Sequence, residues 1–535
     1  MFPGVRRSRQ FRHEAADFIR SLGPLSKTTW VFVALVVLYV LPIWITPLTP
    51  GMDTPNHIAI VETLSRKSVE PDWHVHFEDR ISIGSPYSTY YGLGLLLARV
   101  MPAAEAHRLI MTAFVILLPL SFLYVVRGLK PEAKWLPFFG FLLIYSDSYF
   151  VGFTNFLLTL PLLLLGVGIS IRLAQRSEGG VFQSLVLAGI SFLLFLTHPI
   201  SCALLPVLAA ILALPQLASA PRLVWLLGAW IPAGGVLLRW STSDASPSMG
   251  QMTYLPFDFV LEYLARTPLI LVSGWPLWVG AFLGSVLLML AFFSLGKGFQ
   301  HKRGLLQRLS PFRSPLLGTL AFVILYFLIP FQVGATIWLN LRLAVVVWVL
   351  IFLLVGDAMV RHRVGRLALV SLCLLQFGSV AQAHYAFGRE VHSLLTVVEA
   401  LEPKGRVLPL ALTRDSDVPT PFYRGDPRAA FGSRFTYYLH FGSYYHMTKS
   451  GVSPWMTFHA SLPHVPLGIR SAFYEYGFGI SDPFFPERLL PRLPDLAPHF
   501  DYILLRNASP AVSDGMKRIF PLFYDAGEYE VYSTQ

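Results

Sequence analysis

Charged residues are scarce in this 535-residue chain: only 14% are Asp, Glu, Lys or Arg, whereas 54% are hydrophobic. A soluble globular protein carries roughly 25% charged residues. Cysteine is scarce too, because the chain has only Cys202 and Cys373. Both lie inside apolar runs. The composition therefore argues against a soluble protein and against a disulfide framework.

The apolar residues come in long runs without charge. Residues 30–45 and 138–145 contain no charged side chain, and neither does the stretch from 181 to 220. In a helix, about 20 apolar residues cross a hydrocarbon core of about 30 Å. Strands of a closed barrel would alternate apolar and polar residues instead. The runs therefore predict membrane-spanning helices.

The predicted fold class is an all-α polytopic membrane bundle of about eleven transmembrane helices with a small external α/β C-terminal domain. Residues 1–27 form a basic tail, residues 28–384 the transmembrane domain and residues 385–535 the C-terminal domain. The first apolar run has no cleavage site after it and is interpreted as a retained anchor. The predicted spans are 28–48, 107–126, 135–151, 154–171, 181–197, 199–218, 222–239, 267–295, 315–331, 335–356 and 366–384.

Positive charges occupy alternate loops between these spans. Three opposite loops, around 145–154, 197–201 and 331–336, carry no Lys or Arg, and the loop 240–266 carries only Arg266. The positive-inside rule then predicts a cytoplasmic N-terminus and an external C-terminus. Because the net charge of +11 is spread in short clusters, nucleic-acid binding is not expected. The basic clusters lie at 127–134, 172–176, 222, 297–313 and 361–366.

Two parts of the chain outside the spans have patterns of their own. The long first external loop, 49–106, contains a helical pattern at Pro55–Leu64 and an apolar segment at Tyr87–Val100. Long loops without their own secondary structure are uncommon and often functional. In the C-terminal domain, we predict strands at Arg406–Leu412, Asp501–Arg506 and Tyr529–Ser533 and a helix at Ala511–Phe520.

The most informative stretch runs from Pro50 to Ala59, just past the first span. Asp53 precedes Thr54-Pro55, and proline suits the first turn of a helix, so Asp53 is a candidate N-cap. His57 lies four residues further on and faces the same side of that turn. An acid and an imidazole at a membrane surface can also bind a metal or transfer a proton.

The stretch Asp53-x-Pro55-x-His57, directly after the first span and at the start of a long external loop, resembles the acidic loop start of bacterial C-type (GT-C) glycosyltransferases. The architecture of the whole chain is similar to that superfamily. The resemblance implies a polyprenyl-phosphate sugar donor, transfer on the non-cytoplasmic side and a bacterial inner membrane. An envelope glycan, lipid or protein would be the acceptor.

The resemblance also implies roles for individual residues. Asp53 would be the catalytic base, supported by His57, and a second acid would come from the loop after the third span, which offers Asp147. Asp53 and Asp147 would be the ligands if a divalent cation, Mg²⁺ or Mn²⁺, takes part. A helix cap or turn residue is the structural alternative for Asp147.

Three further residues are candidates for binding the donor. Arg342 lies near the external end of an apolar span, where a guanidinium can grip a phosphate. The alternative is an interfacial arginine that snorkels to lipid headgroups. His198 lies at the junction of two spans and either contacts the donor or is a core histidine bound to a neighbouring helix. Arg266 is a weaker phosphate candidate.

Two other classes of function stay open from the sequence. A transporter or flippase commonly has two related halves and broken helices at the midplane, and no such symmetry is visible. A non-catalytic scaffold would leave Asp53, Asp147 and His198 scattered. The sequence contains no P-loop, no paired CxxC, no GxSxG and no HExxH motif, and it does not identify the sugar.

Overall fold

A computed structural model of the chain describes the greater part of the spans and of the C-terminal region. The described residues are 26–70, 73–80, 85–176, 180–218, 220–243, 252–268, 313–333, 336–412, 418, 438, 440–454, 467–469 and 486–535.

Helices dominate this part of the chain. The α-helices are α1 (Lys27–Ile45), α2 (Thr54–Ser65), α3 (Trp73–His76), α4 (Ser88–Ala98), α5 (Ala103–Leu129), α6 (Asp147–Val151), α7 (Thr154–Gln175), α8 (Val181–Thr197), α9 (Pro199–Ala213), α10 (Ala220–Ser241), α11 (Phe257–Arg266), α12 (Arg313–Leu328), α13 (Leu339–Val360), α14 (Arg363–Ala400), α15 (Gly442–Lys449), α16 (Leu493–Leu496) and α17 (Pro510–Ile519). Short 3-10 helices cover Leu136–Leu143, Leu214–Gln216, Pro486–Arg488, Leu490–Arg492 and Ala497–His499.

The strands are short and form three small sheets. They are β1 (Phe77–Asp79), β2 (Met252–Thr253), β3 (Gln332–Val333), β4 (Thr336–Ile337), β5 (Val407–Ala411), β6 (Leu467–Ile469), β7 (Tyr502–Arg506), β8 (Leu522–Asp525) and β9 (Tyr529–Ser533). β1 pairs with β6, β2 to β4 form a three-stranded sheet, and the remaining four strands have the order β5-β7-β9-β8.

The apolar runs fold into membrane-capable helices as predicted. Six helices are long and apolar enough to cross a membrane, and four shorter apolar helices accompany them among the described residues. Together they cover every predicted span except 267–295, of which residues 269–295 lie outside the described residues. The chain is thus a multi-pass membrane protein. The count of eleven spans and their orientation stay predictions.

The predicted span 135–151 is not one continuous α-helix. It begins as a 3-10 helix, Leu136–Leu143, and continues as the short helix α6. The 3-10 segment packs tightly on α5, because a Cβ on Gly140 would lie 3.1 Å from the Pro119 Cα. A 3-10 helix rises ~2.0 Å per residue, more than an α-helix, so this short segment covers more of the apolar layer.

Further along the chain, one predicted boundary between spans is confirmed and the last predicted span is longer than expected. α8 and α9 are separate helices, because His198 between them is extended, with φ −163° and ψ 117°. Pro199 disfavours the helical conformation in the residue before it, which explains the break. α14 has 38 residues and rises roughly 57 Å at 1.5 Å per residue. It continues past the predicted domain boundary at 385 and carries the chain beyond the apolar layer.

The C-terminal sheet contains all three predicted strands, and the predicted helix is α17. β5 lies parallel to β7, while the other two pairs are antiparallel. A second apolar core, which includes Leu408, Ile503 and Met516, fills the space beside this sheet. No sequence pattern predicted β8 or α15. The external position of this unit stays a prediction.

The sheet is anchored to α14 by a buried ion pair. The guanidinium of Arg506, on β7, lies 3.5 Å from the Glu390 carboxylate on α14. Tyr438 donates a hydrogen bond to the same carboxylate, and Arg506 lies over the Tyr438 ring at 3.8 Å. The C-terminal sheet is therefore fastened to the membrane-spanning bundle through α14.

The first loop folds into the two helices that the sequence predicts, α2 and α4. α15 packs against α2, and the Thr63 hydroxyl of α2 lies 2.6 Å from Nε2 of His446 on α15. Nδ1 of His446 donates to the Gly451 carbonyl oxygen at 2.7 Å. Burial lowers the pKa of His446 to about 4, although the hydrogen bond to Gly451 opposes this shift.

The contact between α2 and α15 should weaken in acid. Unfolded histidine binds a proton near pH 6.5, whereas buried His446 resists protonation down to about 4. Its stabilising contribution is full above pH 6.5 and is lost as the pH falls toward 4, by about 2 kcal/mol between pH 7 and pH 5. Thermal unfolding of the purified protein at both pH values should show this loss. His446→Gln should reduce the difference, and an equal loss in that variant would contradict the assignment.

Candidate functional site

Asp53 is buried at the end of the turn that follows α1, with 5% of its surface exposed. It holds the N-cap position of α2, but its carboxylate makes no capping hydrogen bond to the first turn, all of which is described. The N-capping role that was the alternative for Asp53 is therefore not performed by its carboxylate. Backbone hydrogen bonds fix its position, from Met52 N–H to Phe150 O and from Asp53 N–H to Val151 O, at 3.0 and 2.9 Å.

The backbone of Asp53 can lie this close to α6 because Gly152 ends that helix. Gly152 has φ +86°, a left-handed conformation that favours glycine. A Cβ at Gly152 would lie 2.9 Å from the Asp53 nitrogen and 2.8 Å from the Thr54 nitrogen. Glycine at this position therefore permits the contact between the turn and α6.

His57 lies one turn further along α2 and faces helix α4. Its Nδ1 lies 2.8 Å from the Tyr91 hydroxyl. Burial raises the pKa of Tyr91 well above its ordinary value of 10, the nearby Tyr90 and Asp53 raise it further, and a hydrogen bond from Asn155 opposes them. The Tyr91 phenol therefore stays protonated beside Asp53 and His57.

Arg342 approaches from the first turn of α13. Its Nη1 lies 3.2 Å from Nε2 of His198, and its guanidinium carbon lies 4.3 Å from the centre of the Phe153 ring. Arg342 is buried. The snorkelling alternative predicts an exposed head group and does not fit this burial. His198 contacts α13, as expected for a core histidine bound to a neighbouring helix. The residue that it contacts there is Arg342, the candidate phosphate-binding arginine.

His440 is a neighbour of Asp53 that the sequence analysis did not identify. Its Nε2 lies 3.5 Å from Asp53 Oδ1, longer than an ordinary hydrogen bond, and both side chains are buried. His440 comes from the segment just before α15, nearly four hundred positions along the chain. No local pattern marks it, since only the packing of α15 on α2 brings it to Asp53.

Two other predicted site residues lie around this centre. Asp147 is the first residue of α6, the helix whose last residues bind the Asp53 turn, and it is buried. Ser146 before it holds the N-cap position. Arg266 ends α11, and its side chain lies outside the described part of the structure. The structure thus assembles Asp53, His57, His198 and Arg342 and puts Asp147 on an adjoining helix.

Several buried polar atoms near the centre make no hydrogen bond to any described residue. They are Oδ1 of Asn155, Oδ1 of Asn340 and Nε of Arg342. Buried polar atoms are normally hydrogen-bonded, and an exception asks for an explanation such as a bound ligand. Asn155 contacts Tyr91, while Asn340 and Arg342 share the first turn of α13. These three atoms are therefore available to form hydrogen bonds to a bound ligand.

Asp53 and Asp147 are the acids that would hold the predicted divalent cation. No group of three or more His, Cys, Asp or Glu that could hold a metal occurs in the described residues. Mg²⁺ commonly takes only one or two carboxylates from a protein, with substrate phosphates as further ligands. Asp53 and Asp147, on segments joined by backbone hydrogen bonds, are compatible with that ligand number. A Mg²⁺ or Mn²⁺ ion stays a prediction.

The chain's likeness to known proteins lies in its fold. No protein family matches the sequence, and no curated protein sequence matches it. The crystal structure of ArnT from Cupriavidus metallidurans bound to undecaprenyl phosphate aligns over 95% of this chain and 99% of that chain, with a TM-score of 0.50 and 11% identity. The arabinofuranosyltransferase AftD from mycobacteria aligns over 95% of this chain but 40% of its own, with a TM-score of 0.47 and 14% identity. The chain thus has an ArnT-like fold, which confirms the C-type resemblance at the level of fold.

Substitution of Gly152 should disturb the centre without removing a functional group. Gly152→Ala places a Cβ against two backbone nitrogens and forces alanine into a left-handed conformation, at a cost of about 1–3 kcal/mol. Thermal unfolding of the purified variant should show this loss. Gly189→Ala, in α8, is the control, since nothing lies within 4 Å of its Cβ. Equal stability of the two variants would show that the close contact at Gly152 is unimportant.

Proposed function

We propose that the chain is a membrane glycosyltransferase that moves a sugar from a polyprenyl-phosphate carrier to an acceptor hydroxyl. Transfer would take place on the non-cytoplasmic face of a bacterial inner membrane, with an envelope glycan, lipid or protein as acceptor. The main supporting observation is that a buried carboxylate and a buried guanidinium approach the same end of α6: Asp53 packs against Gly152, and Arg342 lies 4.3 Å from the ring of Phe153, the next residue. ArnT, which shares the fold, was crystallised with undecaprenyl phosphate, and this supports a donor of that class.

In this proposal Asp53 removes the proton from the acceptor hydroxyl, a poor nucleophile before it is deprotonated. The acceptor oxygen forms a bond to the anomeric carbon while the bond from that carbon to the carrier phosphate breaks. The electron pair of the broken bond leaves with the lipid phosphate. A single displacement of this kind inverts the anomeric centre and needs only one base.

The leaving phosphate gains negative charge as the bond breaks. Arg342 supplies a fixed positive charge and a planar set of donors that matches a phosphate. His198, 3.2 Å from the guanidinium, holds it toward the donor and is a second candidate donor to the phosphate. Arg266 is proposed as a further phosphate contact.

The remaining groups position the base. His440 lies beside Oδ1 of Asp53, so it orients the carboxylate and is a candidate to receive its proton. His57 is held by Tyr91 at 2.8 Å on the adjacent turn of α2. A bound Mg²⁺ or Mn²⁺ would be held by Asp53 and Asp147 and would polarise the acceptor or neutralise phosphate charge.

Asp53→Asn should abolish transfer while it preserves size and burial. The loss should be at least about 100-fold, because general-base catalysis contributes about 10²–10⁴-fold. Proteoliposomes would be supplied with radiolabelled undecaprenyl-phosphate pentose or hexose and with envelope lipids and glycans as acceptors. Transfer of label to an acceptor is the measurement.

Asp79→Asn is the matched control, because Asp79 lies in the same loop and pairs with Lys67 instead. It should retain wild-type turnover. A parallel reaction with EDTA tests whether a divalent cation takes part. If folded Asp53→Asn protein transfers label at the wild-type rate, Asp53 is not the base.

Arg342→Gln should lower kcat by about 100-fold, the usual effect of removing one donor that stabilises developing charge. Arg342→Lys should recover part of this loss, since a lysine keeps the charge but lacks the planar donors. Arg361→Gln, at the other end of α13, is the control, because Arg361 is exposed and pairs with Asp357. If Arg342→Gln raises KM and leaves kcat unchanged, Arg342 binds the ground state and the transition state equally. Its proposed role in stabilising the leaving phosphate would then be wrong.

A further inference from the structure

A cavity of about 530 Å³ lies beside the C-terminal end of α1, away from Asp53. Its walls are the turn of residues 45–47, the segment 385–393 of α14 and Glu528. Glu528 lies in the turn between β8 and β9, directly before β9. The turn can approach the helix closely because residue 388 is glycine, whose Cβ would lie 2.5 Å from Thr46 Cγ2. None of the candidate site residues lines this cavity.

Aromatic side chains mark the depth of the cavity in the membrane. Tyr385, which lines it, is 60% exposed, and Trp44, which precedes the lining residue Ile45, is 44% exposed. Tryptophan and tyrosine concentrate at the boundary between hydrocarbon and water. Exposed apolar residues of α1 and α14, such as Leu41 and Leu375, precede this level on both helices. The cavity therefore lies at the level of the lipid headgroups.

The cavity is lined by both acidic and basic side chains. Two acids line it, but Glu390 and Glu528 both lie within 4 Å of the Arg506 guanidinium, at 3.5 and 3.7 Å. Arg389 and His392 are exposed, three residues apart on one face of α14. Neither forms an ion pair with any described residue. Arg506 thus offsets one of the two acid charges, while the guanidinium of Arg389 and the imidazole of His392 remain available to an outside anion.

We propose that this cavity binds the phosphate headgroup of a membrane lipid, with Arg389 and His392 as its ligands. A guanidinium offers several donors in a plane that matches phosphate oxygens. Ile45, Pro47 and Ala386, which also line the cavity, provide apolar contact for the first carbons of the lipid. A phospholipid and a polyprenyl phosphate both carry a phosphate group, and the cavity recognises this group. The binding does not depend on the proposed transfer reaction.

The test is native mass spectrometry of the purified full-length protein titrated with defined lipids. Wild-type protein should retain dioleoyl-phosphatidylglycerol or undecaprenyl phosphate in preference to dioleoyl-phosphatidylcholine. Arg389→Gln/His392→Gln should lower the affinity for the preferred lipid about tenfold or more, because hydrogen bonds from a guanidinium to a phosphate are stronger than those between neutral groups. Ala386→Trp fills the cavity but keeps both basic side chains, and it should cause a similar loss.

Arg99→Gln, at the exposed end of α4, is the control and should bind like wild type. Competition between the two anionic lipids shows which one the site prefers, and either preference supports the proposal. Three results overturn it: unchanged binding in both cavity variants, an equal loss in Arg99→Gln, or displacement of bound lipid by millimolar inorganic phosphate. Transfer activity is measured separately, so its absence would leave the lipid result intact.

Discussion

The opposite charges of Asp53 and Arg342, both buried, impose the main constraint on this structure. Removing a carboxylate or a guanidinium from water costs several kcal/mol unless partners compensate. Here the compensation is local, since His440 lies beside the acid and His198 lies beside the arginine. Such an arrangement is stable only while every partner stays in place. This explains why backbone hydrogen bonds to α6 hold the Asp53 turn.

The breaks in the membrane helices gather around these charges. α6 ends at Gly152, the α8–α9 boundary falls at His198, and α13 begins after Trp338, which has φ +64°. Polar side chains inside a membrane are costly unless they face protein or water, whereas a helix end supplies free backbone groups and room for them. The polar centre and the chain breaks therefore occur together at one end of the bundle.

Local patterns predicted much of this arrangement. Pro55 and the helical pattern after it predicted α2, and an arginine in an apolar span pointed to Arg342, because each signal depends on neighbouring residues. His440 could not be found in this way. Its proximity to Asp53 depends on α15 docking against α2, a contact between residues far apart in sequence. The 3-10 segment 136–143 was likewise invisible, since its close packing on α5 and not its composition decides its conformation.

The C-terminal unit is part of the candidate site and not an appendage to it. Arg506 on β7 binds Glu390 on α14, and Tyr438 donates to that carboxylate. Tyr438 is two residues from His440, which lies beside Asp53. Because two residues of chain span only about 7 Å, the position of His440 depends on the packing of the sheet against α14. Loss of the Arg506–Glu390 pair would leave a buried charge without its partner and would release the segment that carries His440.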